Sequence, residues 1–266
     1  MATTAITTTI TTPSLARIYW KETKYELLRS LRLRVYTFSV IGFPVMFYIL
    51  FGLLINRGQT LADVGVGTYS LATLGTFGIM GASLFGTAAA LSAERGLGWL
   101  QVKRASPMPP IAYFAAKIVK GVIFSIVVVL CLLALGIAFG NVHISFFTAL
   151  KLIATLAAGS LPFCAMGLAI GYFAGPNSAP SVINMIYLPL SFCSGLWVPF
   201  MFLPKFLQQL AHFLPSYHVS QLALGVIGAG RNEPNWIHWA ALTIFTALCI
   251  AVALYGERRD EGKLYG

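Results

Sequence analysis

Six stretches of this chain are each long and apolar enough to cross a bilayer, and they constrain the fold more than any other feature. A membrane-spanning helix needs about 20 mostly apolar residues. The six runs are Val35–Asn56, Val66–Ala93, Gly121–Gly140, Leu152–Ala174, Ser181–Leu203 and Trp236–Gly256. Because unpaired backbone groups are costly in lipid, each run is predicted to form a helix. The chain is therefore predicted to be an all-α polytopic membrane protein with six transmembrane helices.

The composition agrees with a lipid-facing surface. Of the 266 residues, 58% are hydrophobic and only 10% are charged, whereas soluble domains carry about 25% charged residues. The net charge of +10 would suggest nucleic acid as the partner of a soluble protein. Here the basic residues flank the apolar runs, which is typical of membrane topology. We therefore expect a lipid membrane as the surroundings and no nucleic acid as a partner.

The distribution of basic residues predicts the orientation. Cytoplasmic loops carry an excess of Lys and Arg. With both termini in the cytoplasm, 14 of the 18 Lys and Arg residues lie inside and 4 lie outside. Residues 1–14 are rich in Thr and are predicted to be a disordered tail, which leaves 15–266 as a single transmembrane domain.

The segment Pro204–Gly228 is apolar but interrupted by Pro and Gly. Its two pieces, Lys205–Leu214 and Tyr217–Ile227, are too short to span a bilayer and are typical of re-entrant helices. We expect both on the outer side, between spans five and six.

Small residues recur at every fourth position in two of the runs. Such spacing lets helices approach closely, either within one subunit or between subunits. The residues are Ala82, Gly86 and Ala90 in span two, and Gly167, Gly171 and Gly175 in span four.

Residues 15–34 are predicted to form an amphipathic helix at the membrane interface, with Ser14 as its cap. The apolar residues near one face are Ala16, Trp20, Leu27 and Leu31, and the basic residues on another are Arg17, Lys21 and Lys24. A basic amphipathic helix before a span suits the cytoplasmic lipid surface, and it suits a partner protein equally well.

The connector between spans two and three, Glu94–Pro110, reads ERGLGWLQVKRASPMPP. It is predicted to hold a short helix that the prolines stop. Trp99 and Leu100 would then be exposed beside Lys103 and Arg104 on the cytoplasmic side. Since aromatic and Arg side chains anchor protein interfaces, we expect a partner to dock on this connector.

Several absences narrow the function. The sequence has no G-x-x-x-x-G-K-[ST] phosphate loop, so the chain is not expected to hydrolyse ATP. No core of the six runs contains Asp or Glu, which disfavours a proton- or ion-coupled carrier. The histidines have no metal-site spacing and are interpreted as interfacial polar residues; they are His143, His212, His218 and His238. We identify no catalytic residue and no metal site, and we expect no enzyme.

The order of these parts resembles the permeases of ABC exporters of the type-2 class over nearly the whole chain after residue 14. One motif lies in the connector and one lies in the block PLSFCSGLWVPFMFLPKFLQQLAHFLPSYH. The matching residues of the first are Glu94, Arg95, Gly98, Trp99 and Pro107. Those of the second are Pro189, Leu190, Ser194, Gly195, Pro199, Leu203, Pro204 and Pro215.

The resemblance implies a permease subunit of an ATP-driven exporter in a bacterial inner or plasma membrane. Two permeases, identical or homologous, would pair with two ATPase subunits, which bind the ATP and the Mg. The implied coupling residues are Glu94, Arg95, Gly98, Trp99, Lys103, Arg104 and Pro107. Trp99 would anchor the ATPase, while Glu94 and Arg95 would orient the loop. A stand-alone carrier or channel and a membrane-embedded enzyme are the alternatives.

Overall fold

The computed structural model describes residues 14–55, 59–105, 108–140, 142–231 and 233–262. The predicted tail, apart from Ser14, and Pro107 lie outside this part of the chain. The described residues are mostly helical. The helices are α1 (Leu15–Arg32), α2 (Arg34–Phe47), α3 (Val66–Leu84), α4 (Ala90–Gly96), α5 (Trp99–Arg104), α6 (Pro110–Phe139), α7 (Phe146–Gly159), α8 (Leu161–Phe173), α9 (Ala179–Cys193), α10 (Lys205–Ala211), α11 (Pro215–Val226) and α12 (Asn235–Gly262).

Three further helical segments have a different geometry. Helix α2 continues as a π-helical segment, a second π-helical segment joins α3 to α4, and a 3-10 turn precedes α10. Their bounds are Tyr48–Ile55, Phe85–Ala89 and Phe200–Phe202. Two short strands, β1 (Thr60–Leu61) and β2 (Val64–Gly65), pair antiparallel before α3.

Within the described ranges, five helical stretches are long and apolar enough to cross a membrane. They are Arg34–Ile55, Val66–Gly96, Ile111–Phe139, Phe146–Phe173 and Asn235–Asp260. These stretches coincide with five of the six predicted runs. The third begins well before the predicted Gly121, because Pro110 occupies the first turn of α6, where a proline is tolerated. Pro110 therefore starts α6, and the connector helix α5 ends at Arg104, before the prolines.

The predicted fifth span is not a continuous helix over Ser181–Leu203. Helix α9 has 15 residues, which is roughly 22 Å at 1.5 Å per residue and shorter than the hydrocarbon core of about 30 Å. The chain turns at Gly195, whose φ is +77°. A Cβ built there would lie 3.1 Å from Phe200 Cα. Glycine therefore permits both the left-handed backbone at this position and the close approach of Phe200.

Helix α3 is the centre of the fold and is buried from Tyr69 to Leu84. Helices α2, α6, α7, α8, α9 and α11 all pack against it. Small residues make the close approach possible, since a Cβ on Gly78 would lie 2.6 Å from Val128 Cγ1 of α6. The interior therefore depends on backbone-to-side-chain packing around one helix.

The stripe of small residues in span four packs within this chain. A Cβ on Gly167 would lie 1.8 Å from Thr87 Oγ1, and one on Gly171 would lie 2.9 Å from Leu91. Both partners belong to the end of span two, so the glycines of span four let α8 approach α4 and the π-helical segment before it, whereas Gly86 of the span-two stripe faces Tyr36. Of the two alternatives left by the spacing, these glycines support packing inside one subunit.

Helices α10 and α11 lie close to the bounds predicted for the two short outer helices. Helix α11 is buried from Pro215 to Leu224 and packs on α3, α7 and α12. Pro215 lies in the first turn of α11, so a residue expected to break the segment begins its second helix.

Candidate functional site

Helix α1 packs onto the rest of the chain through polar residues. Its fully buried side chains are Glu26 and Ser30, whereas Trp20 is 70% exposed and Leu31 is 50% exposed. Trp20 and Leu31 are therefore available to lipid or a partner, whereas Leu27 of the predicted apolar face packs against the hydrophobic core. The basic residues Arg17, Lys21 and Lys24 are exposed as well. The Ser14 side chain makes no capping hydrogen bond within the described residues, so the prediction of a side-chain cap is wrong.

Glu26 enters a buried charge cluster that joins α1 to α6. Its Oε1 accepts hydrogen bonds from Lys117 Nζ at 2.9 Å and from Lys120 Nζ at 2.7 Å. Lys117 is 0% exposed and Lys120 is 1% exposed. Lys120 also donates to the carbonyl oxygen of Gly86 at 2.9 Å. The predicted third run begins at Gly121 and leaves both lysines before it on the cytoplasmic side, but the structure places them inside α6.

Glu94 is the second carboxylate of the cluster and is 1% exposed. It pairs with Arg29 of α1, accepts a hydrogen bond from the hydroxyl of Tyr113, and lies 3.1 Å from Lys117 Nζ. We define the buried charge cluster by Glu26, Arg29, Glu94, Tyr113, Lys117 and Lys120. Two buried carboxylates thus balance two buried ammonium groups, as buried charges require.

The electrostatics of Glu26 follow from these neighbours. Burial alone would raise the pKa of a carboxyl group, but the ammonium groups of Lys117 and Lys120 outweigh burial and hold the pKa of Glu26 below its ordinary value. Glu26 is therefore ionised at neutral pH. The cluster acts as an ionic joint between α1, α4 and α6.

Arg95 extends the connections to the other side of α4. Its guanidinium donates to the Gly171 carbonyl oxygen at 2.9 Å and to Asp260 Oδ1 at 2.8 Å. It also lies over the ring of Tyr172. The two adjacent side chains thus point in different directions. Glu94 contacts α1 and α6, whereas Arg95 contacts α8 and α12. Their side chains connect α4 to helices on both sides of it.

Helix α5 presents apolar side chains at the surface. It begins after Gly98, whose φ of +73° favours glycine. Leu97 is 70%, Trp99 54% and Val102 64% exposed. Leu100 is only 7% exposed, so its predicted exposure is wrong. Its side chain packs inward against a small hydrophobic cluster. We call Leu97, Trp99 and Val102 the exposed knob.

Lys103 ties the knob to α1. It forms an ion pair with Glu22, and its ammonium group lies 4.4 Å from the centre of the Tyr113 ring. Lys103 thus supports the loop. The Arg104 side chain and Pro107 lie outside the described residues. Gly96 packs closely on the loop between α8 and α9, because a Cβ there would lie 2.2 Å from Pro176 Cγ.

The sequence analysis missed the partners that complete this site. Glu26 was passed over among the basic residues of α1, and Lys117 and Lys120 were counted as loop charges. One signal was present, since two lysines at i and i+3 share a helix face directly before a long apolar run. Lysines on one face of such a helix need acidic partners if they are buried.

A second feature is an apolar groove of about 1050 Å³ beside α2, α3 and α9. Aromatic rings close one end, where Phe47 and Phe77 lie 4.3 and 5.3 Å from the Trp197 ring. Arg32 and Arg34 lie at the other end, at the corner between α1 and α2. The wall between these ends includes Val40, Phe43, Pro44, Gly81, Phe85, Tyr187 and Leu188.

The third feature is a pair of buried histidines between α11 and α12. His218 Nδ1 and His238 Nδ1 lie 2.9 Å apart, and Glu233 lies 3.7 Å from His238 Nε2. Burial lowers the pKa of His218, which favours its neutral form at pH 7. These two histidines, interpreted from the sequence as interfacial polar residues, are buried and connect α11 to α12. In the part of the chain described, no group of His, Cys, Asp and Glu is arranged to hold a metal ion.

These features define an α-helical membrane protein with a buttressed knob on the connector between its second and third apolar helices. Residues 19–227 match the family model described as ABC-2 type transporter, and the chain belongs to this family. The resemblance inferred from the residues is thereby confirmed.

A bacterial protein is similar to this chain over almost its whole length. The chain is 25% identical over 241 residues to a protein of Bacillus subtilis (strain 168) named "Putative transport permease YvfS", and the alignment covers 91% of this chain and 97% of that protein. Family membership indicates a transporter rather than an enzyme.

Proposed function

We propose that this chain is the membrane-spanning subunit of an ATP-driven exporter. It works with two separate ATPase subunits and a second permease, either another copy or a homologue. The observation that carries the proposal is the exposed knob, an apolar surface supported by buried ionic contacts. Since the sequence contains no phosphate loop, the work of ATP must reach this chain through contact with a protein that binds ATP and Mg.

The contacts of the knob suggest how a push from an ATPase spreads. Lys103 passes a displacement of α5 to α1 through Glu22, and Glu94 passes it to α1 and α6. Only Leu33 separates α1 from α2, and the Thr37 side chain of α2 donates a hydrogen bond to the Ser30 carbonyl oxygen of α1 at 3.0 Å. We infer that the two helices move together. The corner between them carries Arg32 and Arg34, so the displacement arrives at the mouth of the groove.

We place the substrate path along this groove. Its volume of about 1050 Å³ is at the upper end of the range for ligand pockets. It is bounded by α2, α3 and α9, the helices of predicted spans one, two and five. A second permease facing the groove would complete the path.

The proposed topology has six spans in a bacterial inner membrane, with both termini in the cytoplasm. Helix α9 together with the turn after Cys193 and the 3-10 segment forms the fifth crossing, and α10 and α11 are re-entrant from outside. The buried Lys117 and Lys120 no longer count as loop charges, but the remaining Lys and Arg still divide 12 inside to 4 outside. The exposed apolar face of α1 rests on the inner lipid surface.

Labelling of single cysteines tests this topology. In a variant lacking the four native cysteines, a cysteine at Gln59 should react with an impermeant thiol reagent added outside intact cells, and one at Gln101 should not. Both positions are exposed, so access depends on the side of the membrane. Cysteines at Lys205 and Arg231 should behave like Gln59. Reaction at Gln101, or protection at Lys205, would contradict the six-span arrangement.

Nucleotide binding tests the division of labour. The purified chain alone should bind no fluorescent ATP analogue at micromolar concentration, because no backbone loop for phosphate exists in its sequence. Addition of an ATPase subunit encoded beside its gene should confer both binding and hydrolysis. Saturable ATP binding by this chain alone would refute the assignment.

A further inference from the structure

The two ends of the groove differ in chemistry in a way that points to a ligand class. Arg32 and Arg34 stand at one end, and within the described residues neither lies within 4.0 Å of a carboxylate. Nearby Glu26 is already bonded to Lys117 and Lys120. The guanidinium groups at the mouth are therefore free to bind an anion, which Arg binds in a bidentate fashion.

Beyond the mouth the groove is almost entirely apolar. From Arg34 to Phe47 it follows α2 for roughly 20 Å at 1.5 Å per residue. The hydroxyls of Tyr36 and Tyr187 already donate to the carbonyl oxygens of Ala82 and Phe77. Such a wall gains free energy from burying hydrocarbon or aromatic surface.

Other ligand classes fit this lining poorly. A cationic drug would find no Asp or Glu among the lining residues, all of which are described. A neutral sugar would need many hydrogen-bonding partners, and the uncommitted polar side chains of the wall are Ser39 and Asn184. Polar ligand groups buried without partners are costly.

We propose that the groove binds an anionic, lipid-like amphiphile, with its negative headgroup at Arg32 and Arg34 and its apolar body along α2 toward Trp197. This inference rests on the proposed function, because it names the substrate class of that same groove. Arg32 and Arg34 are then the residues that determine specificity for the headgroup.

Binding of a matched probe pair tests the proposal without ATP or ATPase. The permease is placed in phosphatidylcholine nanodiscs and titrated with 11-(dansylamino)undecanoic acid or with its uncharged methyl ester, and energy transfer from Trp197 reports binding. A Trp197→Phe variant identifies that part of the signal. The acid should bind about tenfold more tightly than the ester, because charge-assisted hydrogen bonds are stronger than neutral ones.

Variants separate the contribution of the headgroup site to binding from that of the apolar groove. The double variant Arg32→Gln/Arg34→Gln should bind acid and ester equally, whereas Arg32→Lys/Arg34→Lys should keep part of the preference. The control Arg258→Gln/Arg259→Gln removes the same charge from the end of α12 and should leave the preference unchanged. Ser39→Trp, which fills the groove, should weaken binding of both probes.

Several outcomes would overturn the proposal. They are equal binding of acid and ester by the wild type, an unchanged preference in Arg32→Gln/Arg34→Gln, and undiminished binding in Ser39→Trp. Phosphatidylglycerol that displaces the acid would identify the anionic amphiphile as a membrane lipid, and failure to displace it would identify a single-chain amphiphile; both support the class.

The assay also keeps this inference separate from the proposed function. Loss of the probe preference while an ATPase still binds and hydrolyses ATP on the permease would refute the ligand class alone. A preserved preference without any ATPase partner would refute the exporter assignment alone. A second permease seated tightly in the groove would exclude both probes and would overturn the ligand proposal.

Discussion

Replacing Glu94 by Gln should destabilise the folded protein by about 3–5 kcal/mol, the range for breaking a buried ion pair by removing one partner. Glu94 is 1% exposed and faces Arg29, Tyr113 and Lys117. The amide keeps the shape but removes the charge, so that Lys117 shares one remaining carboxylate with Lys120. Thermal unfolding of purified protein in detergent, followed by fluorescence, measures the loss.

Two companion variants decide whether the charge is the cause. Glu22→Gln removes a carboxylate from a partly exposed pair with Lys103 and should cost about 1 kcal/mol or less. Glu94→Gln combined with Lys117→Met should recover part of the stability, because the ammonium group is removed as well. A Glu94→Gln protein as stable as Glu22→Gln would show that the buried charge cluster does not hold the helices.

Replacing Trp99 by Ala should weaken binding of the ATPase subunit about 30-fold, because truncation of a central aromatic residue commonly costs about 2 kcal/mol of binding. Trp99 is 54% exposed, so folding and membrane insertion should be unaffected. Biolayer interferometry with the permease in nanodiscs and the ATPase in solution gives both affinities.

The control for this variant is Trp236→Ala. Trp236 is 70% exposed at the start of α12, on the side proposed to face outward. Its removal deletes the same aromatic surface and should leave the ATPase affinity unchanged. If Trp99→Ala binds the ATPase as tightly as wild type, the exposed knob is not the docking surface.

Much of the fold could be predicted from local sequence pattern and from the length of the apolar runs. Apolar runs located the five long helices, and Pro and Gly spacing placed α10 and α11 within a few residues of their observed ends. These features depend on neighbours in sequence. The early end of α9 within the predicted fifth run was not foreseen, because a hydrophobic count does not register the left-handed turn at Gly195, which depends on the close approach of Phe200.

The sequence indicated residues of the connector but not the contacts that bury them. Trp99 and the Glu94-Arg95 pair were found from the connector sequence, but the partners of Glu94 could not be assigned. Glu26 and Lys120 are 94 residues apart in sequence and meet only when α1 folds against α6. The burial of Leu100 also depends on tertiary packing, since one turn of helix shows only which residues share a face.

The central claim is that ATP binding by a partner moves the mouth of the groove in a permease pair. Val35 is 83% exposed beside Arg34 and can carry a spin label. Pulsed electron paramagnetic resonance then measures the distance between the labels of two permeases. The account predicts that ATP shifts this distance in the complex with the ATPase and leaves it unchanged in the permease alone. No shift in the complex, or the same shift without the ATPase, would contradict it.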